Sequence, residues 1–205
     1  MACWSLIITR FEERAPLLPR LNGAVCFFAC LCLAGCAARA SLPAYSTVPD
    51  FTLTDQSGAA FDSSARLTGK VWIADFIYTT CPGPCPRMSS QMHQVENALA
   101  DLPDVRLVSF TVDPEHDTPP VLEQYSERFG AKPGIWYFLT GDMDALHHLS
   151  RDVFLLGDIN GSLEHSTRFV LIDRASKVRG YYQSDEDGAI PRLIADAKAL
   201  AQRRD

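Results

Sequence analysis

The chain has 205 residues, enough for one domain of ordinary size plus a further segment. An apolar fraction of 47% can supply a core, and 21% charged residues is ordinary for a globular protein. The formal charge of -6, without a basic cluster, argues against nucleic acid as a partner.

At the N-terminus, Arg10, Arg14 and Arg20 precede an uncharged apolar run from Gly23 to Gly35. That run is short for a bilayer span and fits the apolar region of a secretory signal. It closes on Leu33-Ala34-Gly35-Cys36, which resembles the lipobox of bacterial lipoproteins. The resemblance implies a signal peptide over 1–35, cleavage before Cys36 and acylation of that cysteine. A lipid-attached tether over 36–47 and a folded domain over 48–205 would follow, on the periplasmic side of the cell envelope. The alternative is an ordinary signal peptide or an uncleaved anchor. Of the seven cysteines, Cys3, Cys26, Cys30 and Cys32 lie in the signal, and only Cys81 and Cys85 remain beyond Cys36. One pair is not a disulfide framework, so redox chemistry or metal binding is the better reading.

Pro49 to Asp55 alternates apolar and polar residues, and Gln56-Ser57-Gly58 turns the chain into Ala59-Ala60-Phe61, which predicts a small hairpin. Val71 to Tyr78 reads as a mostly buried strand. Met88, Met92, Val95, Leu99 and Leu102 then form one helical face, with Pro86 suited to the first helical position. Val105–Val112 is a second strand. Pro120–Phe129 is a helix stopped at Gly130, and Ile135–Leu139 a third strand. Asp142 caps a helix carrying Leu146, Leu149 and Val153. Thr167–Ile172 and Lys177–Tyr182 make an antiparallel hairpin, and Ile190–Ala201 a last helix. The order implies an α/β domain with a mixed central sheet and helices on both faces.

The chemistry concentrates in Thr80-Cys81-Pro82-Gly83-Pro84-Cys85-Pro86, where a strand gives way to a helix. Cys85 stands at or just before a helix N-terminus, where unsatisfied N–H groups favour a thiolate. Three readings stay open: a thiol–disulfide centre, a soft-metal site, and a plain disulfide, whose very small loop would stabilise little. A metal needs a further ligand. His93 lies off the apolar stripe of its helix, His116 sits in an acidic loop, and of the adjacent His147 and His148 at most one faces the core. His165 differs, standing in a loop two residues before a strand, where functional side chains are common.

Together with Thr111-Val112-Asp113-Pro114-Glu115-His116-Asp117-Thr118-Pro119 and His165-Ser166-Thr167-Arg168-Phe169-Val170, the cysteine motif resembles the Sco/SenC copper proteins of cytochrome c oxidase assembly. The resemblance implies a thioredoxin-like fold with insertions and one copper ion, Cu(I) or Cu(II), on Cys81, Cys85 and His165. Asp113 would be a supporting residue near the site and not a ligand. It also implies partners: the copper-bearing subunit of the oxidase, other copper carriers and a thiol reductant, with the membrane held through the lipid. A copper chaperone is the leading expectation. A thiol–disulfide oxidoreductase acting on the oxidase cysteines is the alternative, and a thiol peroxidase a third possibility that would not need His165.

Overall fold

The computed structural model describes residues 42–157 and 166–203. Among them a seven-stranded mixed sheet runs in the order β2-β1-β5-β4-β3-β6-β7. Its centre is parallel: β3 (Val71–Ile77) pairs with β4 (Val105–Thr111), and β4 with β5 (Trp136–Thr140). Its flanks are antiparallel. The hairpin of β1 (Thr52–Asp55) and β2 (Ala60–Asp62) adds to β5, and the hairpin of β6 (Arg168–Ile172) and β7 (Val178–Gln183) adds to β3. A parallel centre covered on both sides needs strands apolar on both faces. The sequence of β3, Val-Trp-Ile-Ala-Asp-Phe-Ile, meets that demand at every position except Asp75.

Alternation along β3 divides the core. Val71, Ile73 and Ile77 face α2 (Pro84–Ala98), α3 (Pro119–Arg128) and α5 (Ala189–Gln202), while Trp72, Ala74 and Phe76 face α1 (Ser63–Leu67) and α4 (Met143–His148). Met88, Met92, Val95 and Leu99 all lie buried, so the helical stripe seen in the sequence is the face that α2 lays on the sheet. Gly130 takes a φ of +67°, the left-handed turn that ends α3.

Three features differ from the sequence reading. The short helix α1 has no apolar period to announce it; Asp62 starts it by accepting the Ser64 N–H at 2.8 Å. The helix capped by Asp142 keeps α-helical geometry only to His148 and widens into a π-helical turn over Leu149–Val153. Residues 42–47, expected within the tether, are fastened to the domain. The Tyr45 N–H donates to the Val178 carbonyl, the Val178 N–H to the Ser46 carbonyl, and Arg179 donates to the carbonyls of Leu42 and Pro43.

Candidate functional site

Cys81 and Cys85 sit where β3 hands over to α2, and both are buried, reduced thiols. Proline shapes the turn. Pro84 opens α2, two residues before the expected start, and Gly83 precedes it without any side chain to cap the helix. The first N–H groups of α2 therefore lack a conventional acceptor. The Cys81 sulfur supplies one, taking the Cys85 N–H at 3.5 Å. The thiol outside the helix thus occupies the position of an N-terminal cap.

This arrangement reverses the sequence expectation for the two sulfurs. Burial raises the Cys85 thiol well above its ordinary range, and hydrogen bonding to Cys81, with the negative charges of Cys81 and Asp75, adds to the rise. A backbone hydrogen bond from Tyr78 to the Cys85 sulfur opposes this rise but does not reverse it. Burial also works against a Cys81 thiolate, but it is outweighed by donation from the Cys85 N–H, the Cys85 thiol, the Gly83 N–H and the Tyr78 hydroxyl. Cys81 is held below its ordinary value. Tyr78, by donating to Cys81, keeps its own proton and is pushed up to about 12.

Beneath the thiols lies a buried polar group that interrupts an apolar strand. Asp75 is fully buried on the α2 side of β3, directly across from Ser109 on β4. Trp136 Nε1–H donates to Ser109 Oγ at 2.9 Å, and Ser109 donates to Asp75 Oδ1 at 2.6 Å. The other carboxyl oxygen, Oδ2, is buried without a hydrogen-bond partner. Desolvation raises Asp75 from 3.8 to about 7. Its signal in the sequence was visible: one acid inside an otherwise apolar strand.

The loop after β4 forms the second wall. Asp113 is half-buried and near enough for its charge to reach Tyr78. Asp117 is fully buried and accepts hydrogen bonds from the Thr79 N–H, the Thr79 hydroxyl and the Thr111 hydroxyl. Its role was not legible in the sequence, where an acid in a polar loop reads as solvated.

The structure thus brings Cys81, Cys85, Tyr78 and Asp113 to one end of the sheet. His165 and Cys36 lie outside the described residues. Among the described residues, no group of three or more Cys, His, Asp or Glu side chains is arranged to hold a metal. Of the other histidines, His93 Nε2 lies 2.9 Å from Asn97 Nδ2, His148 Nδ1 lies 2.9 Å from Asp152 Oδ2, His116 is exposed, and His147 is half-buried with Nε2 lacking a hydrogen-bond partner.

Comparison with known proteins places this geometry in a family. The SCO1/SenC family model matches residues 39–202. A SCO1/SenC family lipoprotein from Bacillus anthracis is 32% identical, with a TM-score of 0.70 over 77% of this chain and 96% of its own. BsSco, a member of the Sco family of cytochrome c oxidase assembly proteins in which a disulfide switch has been identified, is 30% identical, with a TM-score of 0.70 over 80% and 98%. Copper-bound ScoI of Bradyrhizobium japonicum is 25% identical, with a TM-score of 0.62 over 76% and 99%. The fold is the thioredoxin-like fold of these proteins, and this chain belongs to the SCO1/SenC family.

Proposed function

We propose that this chain is a copper carrier that binds one ion through Cys81, Cys85 and His165 and delivers it to the dinuclear copper site of cytochrome c oxidase. The observation that carries the reading is the buried, reduced thiol pair on the strand-to-helix turn, a soft donor set that suits copper(I). Hard cations prefer oxygen ligands, and a structural zinc site would want four protein donors. Copper is cargo here, so a low coordination number is an advantage: an open position lets a recipient's thiolate attach before the carrier's ligands let go. Binding requires both sulfurs to give up their protons. Cys81 is prepared for this, and Cys85 must exchange its proton for the metal.

Copper bound to the relative from Bradyrhizobium japonicum supports the reading, as does the family's place in oxidase assembly. Cys36 carries the lipid in this account and holds the domain at the periplasmic face of the membrane, with Asp113 supporting the site from the second wall. The test is a transfer experiment. The copper-loaded full chain, in detergent, is mixed with the reduced, metal-free copper-bearing subunit of the oxidase, and copper is measured in each after separation. Copper found on the subunit is the expected result; copper retained on the carrier would contradict delivery.

The asymmetry of the two sulfurs favours a second reading, thiol–disulfide exchange with the same target. The Cys81 thiolate would attack a partner disulfide, forming a mixed disulfide and releasing one partner thiolate, which takes up a proton. Cys85 would then lose its proton and attack the Cys81 sulfur. That closes the Cys81–Cys85 bond, releases the second partner thiol and leaves the partner reduced by two electrons. His165→Ala separates the readings: exchange needs only the two cysteines and survives the change, whereas copper binding is weakened.

A further inference from the structure

Asp117 presents an unusual arrangement for a residue in a loop before a helix. It directly precedes Thr118, the N-cap of α3, yet no side chain caps that helix. The carboxylate instead turns inward and is fully buried. It gathers the Thr79 N–H at 3.1 Å, the Thr79 hydroxyl and the Thr111 hydroxyl. Thr111 Oγ1 in turn accepts the Asp113 N–H at 2.9 Å, and the Asp117 N–H donates to the Asp113 carbonyl at 2.8 Å. Each of these carboxylate partners is a neutral donor. An ionised carboxylate, which only accepts, suits three donors, and such charge-assisted bonds are the stronger kind.

The ring of bonds links two segments that are 38 positions apart in sequence. One is the end of β3, with Thr79 two residues before Cys81. The other is the end of β4 with the loop that carries Asp113. We propose that Asp117 is a positioning residue for the thiol pair: by clamping Thr79 it holds Cys81 where the Cys85 N–H reaches its sulfur, and by clamping Thr111 it holds Asp113 beside Tyr78. The inference rests on the reading of Cys81 and Cys85 as the working thiols. The Asp117 bonds are present with the pair reduced; in this proposal they fit the dithiol geometry and loosen when the disulfide forms.

The test is made on the metal-free full chain in detergent, by measuring the equilibrium of Cys81–Cys85 against glutathione together with the melting temperature of the reduced protein. Asp117→Asn puts an amide N–H where a donor already points, and should shift the equilibrium about tenfold towards the disulfide. Thr79→Val removes one hydroxyl but leaves the Thr79 N–H and the carboxylate, and should shift it about threefold in the same direction. Leu67→Ala, on the other face of the sheet, supplies the structural comparison: it should lower the melting temperature without moving the equilibrium. A constant unchanged in Asp117→Asn, or moved towards the dithiol, overturns the proposal. If Asp117→Asn does not fold, Thr79→Val decides in the same terms. His165→Ala keeps the outcome separate from the copper reading, since it weakens metal binding while leaving the metal-free equilibrium in place.

Discussion

At the scale of single residues, the site is governed by which group receives the helix N-terminus. Cys85 belongs to α2 but buries its sulfur; Cys81 lies outside the helix yet accepts the Cys85 N–H. Spacing alone assigns the favoured thiolate to the wrong member of the pair, because the direction of an N–H is a matter of three dimensions. Asp75 offers a residue-scale test. Its carboxyl is raised from 3.8 to about 7 by burial, so between those values the folded protein holds a proton that the unfolded chain has released. Stability from this group is therefore present at low pH and lost as pH climbs from about 4 through about 7. Asp75→Asn should flatten that part of the stability curve, read by urea unfolding at several pH values. An unchanged slope would show that the carboxyl does not carry the effect.

At the scale of elements, what was legible followed from periodicity and turn chemistry. The stripe of Met88, Met92, Val95 and Leu99 located α2 and the face it buries, and the apolar runs located β3, β4 and β5. Met92→Ala should cost about 2–5 kcal/mol in denaturant unfolding, since the side chain is fully enclosed between helix and sheet. A loss below about 1 kcal/mol would mean that the site collapses around the smaller residue. Less legible were elements without a period. Helix α1 rests on one cap, and the π-helical turn depends on how Leu149 and Val153 fit the core. The Asp117 clamp was hidden for a related reason: its partner Thr79 is local to nothing near it in sequence, and only the parallel pairing of β3 with β4 brings them together. The cysteine pair could be found because its chemistry is contained within five consecutive residues.

At the scale of the whole molecule, residues 42–48 belong to the folded domain, fastened to the β6–β7 hairpin by backbone and arginine hydrogen bonds. Arg179 is the principal tie, donating to Leu42 and Pro43 while paired with Asp173 at 2.7 Å. Arg179→Ala should speed hydrogen exchange at the Tyr45 amide by about tenfold or more, with the core strands unaffected. Equal exchange in the variant would place the fastening in the Thr47–Lys177 bridge and its neighbours instead.

Two thiols and one histidine are proposed to form a single copper site. The most direct measurement is a copper titration, in both oxidation states, of the reduced full chain in detergent beside Cys81→Ala, Cys85→Ala and His165→Ala. One tightly bound equivalent is expected, with a sulfur-to-copper absorption band lost in either cysteine variant and weakened or shifted without His165. Weak binding that is indifferent to His165 would contradict it and leave thiol–disulfide exchange as the function of the pair.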